Sequence, residues 1–146
     1  YYNITIQNVY NGIYLLSGSS TLTDAGNEIG TIDDGATVIG AGSPGSIGNG
    51  SQATWGIRTF AQGNLKIFNC EVKNVTCTGI NSVDGIFVDN NSFSPVSTDT
   101  TRIYNNKVYN LLNSNTSPTS HRVYGIRVNN SANISSVSMI YNNFIY

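Results

Sequence analysis

The chain has 146 residues, one in ten of them charged, and a formal net charge of −1. So sparse and balanced a charge excludes the basic footprint of a nucleic-acid-binding domain and a strong field of either sign. No apolar run is long enough to span a membrane as a helix, and the abundant residues (Asn, Ser, Thr, Gly, Tyr, Ile and Val) suit strands and turns rather than helices.

In chain order, residues 3–15 open with an extended run from Asn3 to Asn8, followed at once by Gly12-Ile13-Tyr14-Leu15. The short spacing between Ile6 and Gly12 predicts a first coil wound differently from the rest. Residues 16–28 are small and polar and read as a loop. A recurring pattern then begins at Ile32, with Asp33-Asp34-Gly35 in its turn positions. It returns as Ile67-Phe68-Asn69-Cys70-Glu71-Val72-Lys73-Asn74, as Ile103-Tyr104-Asn105-Asn106-Lys107-Val108-Tyr109-Asn110 and as Ile140-Tyr141-Asn142-Asn143-Phe144-Ile145-Tyr146. The starts at 32, 67, 103 and 140 step by 35, 36 and 37 residues, and a period of that size is the signature of a repeat architecture. Residues 41–54 read as a flexible excursion and 55–89 as the most regular coil, with loops at 90–100 and 112–121. Each period is therefore a core of ~22 residues with a surface loop of variable length. No internal boundary divides the chain, which reads as one segment, 1–146. It opens on Tyr1-Tyr2 without a signal peptide, so the expectation is a segment of a larger secreted protein whose export signal lies elsewhere.

Each copy reads as strand, tight turn, strand. Side chains alternate across a strand, so Ile103 and Val108 face one way and Tyr104 and Tyr109 the other. Asparagine suits the turn because it tolerates the left-handed backbone region. Its amide also donates and accepts, so in-phase copies predict a hydrogen-bonded ladder through Asn69, Asn105 and Asn142. A second motif interleaves with the first: Gly12-Ile13-Tyr14, Gly56-Ile57-Arg58, Gly85-Ile86-Phe87 and Gly125-Ile126-Arg127. The core is expected to include Ile67, Ile86, Ile103, Ile126 and Ile140. The residue after each Gly-Ile faces out, so stacked copies place Phe87 between Arg58 and Arg127, within cation–π range at ~4.8 Å per coil.

The units Asn64-Leu65-Lys66-Ile67-Phe68-Asn69-Cys70, Arg102 to Asn110 and Tyr124-Gly125-Ile126-Arg127-Val128 resemble the repeats of right-handed parallel β-helices of the pectin-lyase-like superfamily. The Ile-Tyr-Asn-Asn and Tyr-Gly-Ile-Arg-Val forms are most similar to repeats of large bacterial cell-surface proteins, including substrates of type IX secretion. The resemblance spans nearly the whole chain. It implies an all-β fold, a right-handed parallel β-helix (solenoid) of about four coils with variable loops. Fold alone does not fix activity.

Enzymes with this fold gather carboxylates and bases on one outer face. Asp33-Asp34 is similar to their paired aspartates, and Asp34 would be the general acid toward a glycosidic oxygen. Adjacent strand residues point to opposite faces, however, and this pair fills a turn slot. His121-Arg122 sits at a loop end and reads as solvated. Asp84 and Asp89 flank one strand, but calcium needs six to eight converging oxygens, roughly. Cys70 and Cys77 are separated by an apparent strand about 23 Å long when extended, too far for a disulfide, and no histidine pair accompanies them for zinc. They read as turn or core residues. The sequon Asn74-Val75-Thr76 carries little weight in so Asn-rich a chain. No metal or cofactor is expected.

Phe68, Tyr104 and Tyr141 fall in one outward column, and Lys73, Tyr109 and Tyr146 in another. Phe68, Tyr104, Tyr141 and Tyr109 are the candidate glycan contacts, since rows of rings stack on sugars, though cross-strand packing alone also explains them. The expected function is a non-catalytic stalk or adhesin segment at the cell surface. Its expected partners are glycans, other surface proteins or further β-helix coils stacked end to end, with no nucleic acid and no membrane insertion. The alternatives are a fragment of a polysaccharide lyase or glycoside hydrolase and a glycan-binding module. An ice-binding role is disfavoured, because Thr21-Leu22-Thr23 is an unrepeated Thr-x-Thr.

Overall fold

The structure, a computed structural model, describes residues 1–17, 24–32, 36–90, 99–116, 122–130 and 137–146. Their secondary structure is strand only: β1 (Thr5–Ile6), β2 (Ile13–Leu16), β3 (Asp24–Ala25), β4 (Glu28–Gly30), β5 (Thr37–Ile39), β6 (Ile47–Gly50), β7 (Thr54–Phe60), β8 (Gln62–Gly63), β9 (Lys66–Phe68), β10 (Cys70–Cys77), β11 (Val83–Asn90), β12 (Thr100–Tyr104), β13 (Lys107–Asn113), β14 (Val123–Asn130), β15 (Val137–Tyr141) and β16 (Phe144–Ile145). All pairings are parallel and join strands of successive turns. Sheet I runs β4-β9-β12-β15, sheet II β1-β5-β10-β13-β16 with β6 also on β10, and sheet III β2-β7-β11-β14. A short pair, β3-β8, completes the set. This is a parallel β-solenoid. Sheets I and III each stack four strands, so about three turns separate the first level from the last.

The repeat makes the core. Ile29, Ile67 and Ile103 are paired in register from sheet I, Ile39, Val72 and Val108 from sheet II, and Ile57 and Ile86 from sheet III. All are fully buried, and each such side chain contributes roughly 1.5–3 kcal/mol. Of the expected core, Ile67, Ile86 and Ile103 are buried and Ile126 is half-buried against the cluster. Ile140 is 50% exposed although it pairs with Ile103 as the pattern requires. Its register is right; a solenoid side chain is covered from the turns on both sides, and among the described residues β15 is paired on one side, with β12.

The early copy differs from its sequence reading. Ile32 is 68% exposed, and Ile29 occupies the core position aligned with Ile67. Thr37 then aligns with Cys70, so extra residues enter between Thr31 and Thr37. Part of the expected excursion at 41–54 is also ordered pairing: β6 continues where β5 stops and covers the second half of β10, with Ile47 fully buried opposite Val75.

The Gly-Ile motif has a packing cause. A Cβ at Gly56 would lie 2.3 Å from Val72 Cγ1, and one at Gly85 2.3 Å from Val108 Cγ1. Sheet III approaches sheet II too closely there for any side chain, and the following isoleucine fills the core.

Candidate functional site: the outer columns

The turn asparagines divide into two roles. Asn69, Asn105 and Asn142 have φ of 50°, 56° and 53°, the left-handed region that Asn enters more cheaply than other non-glycine residues. They hold the bend. The ladder runs through the next position instead, because a left-handed residue turns the following side chain into the interior. Asn106 is 1% exposed. Its Nδ2 donates to Ile67 O at 3.0 Å and to Asn143 Oδ1 at 2.9 Å, and its Oδ1 accepts from the Cys70 backbone N–H at 3.0 Å. Asn143 repeats the scheme one turn on, donating to Ile103 O at 2.9 Å and accepting from Asn106 N at 3.0 Å. The expected ladder at Asn69, Asn105 and Asn142 is thus displaced by one residue; Asn69 bonds instead to Thr31 O at 3.0 Å. Cys70 takes the ladder slot of the earlier turn. Burial pushes its thiol up to about 12, and both cysteines are free and buried.

A second asparagine column lies five residues beyond Asn69 and Asn105. Asn74 and Asn110 are left-handed as well, at 56° and 53°. Asn110 Nδ2 donates to Asn74 Oδ1 at 3.2 Å, and Asn74 Nδ2 to Gly40 O at 2.8 Å and Gly42 O at 2.7 Å. The sequence signal for it was the Asn spaced five residues after Asn69 and Asn105.

On the outer face of sheet I, Phe68 and Tyr104 stack at 5.3 Å and 10°, and Tyr104 and Tyr141 at 5.2 Å and 3°. Tyr2 closes the other end edge-on to Phe68 at 6.4 Å. The ring faces are therefore turned to one another, and a ligand meets mainly edges; the outer ring, Tyr141, is 43% exposed. Beside this stack Glu28 accepts from Lys66 at 2.5 Å and from the Tyr2 hydroxyl. The Lys66 bond, helped by Tyr2, holds the Glu28 carboxyl below its ordinary range.

On sheet II, Tyr109 stacks on Tyr146 at 4.9 Å and 5°. Glu71 accepts from the Tyr109 hydroxyl and from Lys73 Nζ, the latter at 3.1 Å, and these bonds, Tyr109 first, hold its carboxyl low.

Sheet III carries the densest cluster. Tyr14, Arg58, Phe87 and Arg127 pair in register across its four strands. The Arg58 guanidinium lies 5.2 Å from the Tyr14 ring and 5.3 Å from Phe87, while Arg127 lies 3.7 Å from Phe87. Phe87 is flanked by both arginines, as the Gly-Ile alignment requires. Trp55 and Tyr124, which the sequence reading passed over, add rings 4.6 Å from Arg58 and 4.9 Å from Arg127. Their signal was their shared place two residues before the isoleucine.

Asp84 and Asp89 partner these cations. Asp89 lies 3.3 Å from Arg58, and Asp84 accepts from Arg127 Nη2 at 2.9 Å. Arg127 Nε also approaches Asp84 Oδ1 to 2.8 Å, without its hydrogen aimed at that oxygen. Asp84 is wholly buried between Trp55 and Tyr124 in the register. Burial pushes its carboxyl up, and the Arg127 charge opposes the shift. Among the described residues no three His, Cys, Asp or Glu side chains converge on a point that could hold a metal. Asp33, Asp34, His121 and Thr21-Leu22-Thr23 lie outside the described residues.

What these columns do chemically is hold one turn to the next. The fold and its outer columns define a repeat protein of the parallel β-solenoid class. Comparison of the chain with protein-family models, curated proteins and solved structures finds no match.

Proposed function

We propose that the chain is a structural stalk or adhesin segment of a large secreted bacterial surface protein, built from repeats of the pectin-lyase-like kind. The observation that supports this best is the use of the outer surface: aromatic stacks, asparagine ladders and ion pairs link turn to turn in register on all three sheets. Side chains committed to axial contacts stiffen a rod, whose task is to hold loops or a tip at a distance. The mechanism is geometric, a rise of ~4.8 Å per turn.

The gene's reading frame on either side tests the proposal. Further repeats of this period and an export or sorting segment are expected; neighbouring catalytic domains without further repeats would overturn it. Activity supplies a second arm. Purified protein should not turn over polygalacturonate or similar acidic glycans, with or without calcium. Reproducible turnover abolished by Asp33→Asn or Asp34→Asn would favour the enzyme reading. Glycan binding has one specific support, the open outer ring at Tyr141, and loss of glycan retention in Tyr141→Ala is its test.

A further inference from the structure

The dipeptide Asn-Gly occurs twice in the chain, at Asn11-Gly12 and at Asn49-Gly50. In this pair an asparagine can react with its own backbone. The nitrogen of the next residue attacks the side-chain amide carbon, and glycine has no Cβ to crowd the approach. The fold treats the two copies differently. At Asn11 both reacting groups are held: its Oδ1 accepts from the Trp55 backbone N–H at 3.3 Å, and the Gly12 N–H donates to Trp55 O at 3.2 Å. Gly12 is also wedged, since a Cβ there would lie 2.1 Å from Gly56 O.

Asn49 sits in a bulge. β6 pairs with β10 as Gly48 with Thr76 and Gly50 with Cys77, so Asn49 is an extra residue without a counterpart, as a bulge requires. Its φ is 67°, it lies between two glycines, and it is exposed. Its side-chain amide has no hydrogen-bond partner among the described residues. The strand on either side is anchored: Ile47 is fully buried opposite Val75, and Gly50 O accepts from the Thr78 N–H at 2.9 Å.

Independently of the rod reading, we infer that Asn49-Gly50 is a self-modification site. Gly50 N bonds to Asn49 Cγ, the Cγ–Nδ2 bond breaks, and the Gly50 amide proton leaves with that nitrogen as ammonia. The cyclic imide so formed takes up one water. Opening at the side-chain carbonyl gives aspartate; opening at the backbone carbonyl gives isoaspartate, whose main chain runs through the side chain and is longer by one atom. No electrons are exchanged, and water is the only co-reactant. Both products place a carboxylate on the bulge, and the isoaspartyl form shifts Gly50 away from its bond to Thr78. The mark accumulates with the age of the molecule.

The purified chain is incubated in mildly alkaline buffer, folded and, in parallel, unfolded in urea. Peptide mapping by mass spectrometry follows the amide-to-acid mass change at each asparagine. Unfolded, the two Asn-Gly pairs should react at similar rates. Folded, Asn49 should react at least about tenfold faster than Asn11, whose reaction must wait for local opening. An isoaspartyl methyltransferase should label the aged protein in the peptide that carries residue 49, and amide exchange at Thr78 should quicken in the labelled fraction. Asn49→Gln, whose longer side chain closes its ring far more slowly, should lose that labelling and keep the Thr78 protection of the fresh parent. A folded Asn49 that keeps its amide, one that reacts no faster than Asn11, or labelling of the same peptide that survives Asn49→Gln would each overturn the inference.

Discussion

Replacing Asn106 by alanine tests the division of labour between adjacent asparagines. The side chain is 1% exposed and serves the Ile67 carbonyl, the Cys70 amide and the Asn143 amide oxygen. Asn143 Oδ1 retains the Asn106 backbone N–H as donor. Truncation therefore orphans one buried backbone donor, the Cys70 N–H, while the Ile67 carbonyl keeps the ladder bond that its strand makes to β12. An unsatisfied buried group costs about 1–3 kcal/mol, so Asn106→Ala should destabilise by about 1–3 kcal/mol. Asn105 is the control. It is exposed, with a φ of 56°, and glycine enters that region without strain, so Asn105→Gly should stay within about 0.5 kcal/mol of the parent. Equilibrium urea unfolding by far-ultraviolet circular dichroism measures both. If Asn106→Ala costs less than about 1 kcal/mol, or no more than Asn105→Gly, the ladder does not carry the turns and the assignment of roles fails.

Three further outcomes follow from the same geometry. Phe87→Ala should destabilise by about 3–5 kcal/mol, because it removes a 7%-exposed ring and unstacks both guanidiniums, while Arg58→Lys should cost only about 0.5–1 kcal/mol; denaturant midpoints decide. Ile103→Ala should cost about 2–5 kcal/mol, and Ile140→Ala, at the same register position but half exposed, less than half as much in the same assay. Glu28 and Glu71 are held below the ordinary carboxylate range, so they bind fewer protons folded than unfolded. The stability they contribute is complete above the unfolded carboxylate pKa, about 4.3, and is lost as pH falls through their lowered folded values. Tyr109→Phe removes the strongest of the bonds holding Glu71 low, and a Tm-against-pH series should then show a smaller loss in acid.

The sequence carried the fold because periodicity is what stacking requires. Ile67 and Ile103, and Ile57, Ile86 and Ile126, align in space as they align in the text, and so do Arg58, Phe87 and Arg127. It failed where a local insertion broke the period: Ile32 matched by spacing, but the residues added before Thr37 move the true counterpart to Ile29. The ladder was misplaced by one residue for a different reason. Asn105 and Asn106 are chemically identical, and only the backbone bend decides which amide turns inward. The pairing of Asp84 and Asp89 with arginines was hidden because their partners lie 43 and 31 residues away, contacts that exist only once the turns are wound. Trp55 and Tyr124 share a strand with Arg58 and Arg127, and the sequence reading missed them although their spacing was open to it.

That winding is open to a characteristic error. Turns of similar sequence invite a strand to pair with the turn beyond its neighbour, looping out the repeat between. The alternating column on sheet III discriminates against this slip. Correct winding sets each guanidinium against a ring, whereas skipping the β11 turn would bring Arg58 against Arg127, and skipping the β7 turn would set Tyr14 against Phe87 with no cation between them. Neighbouring turns are thus labelled as complementary and alternate turns as mismatched, so the column works as a parity check on the order in which the chain is wound.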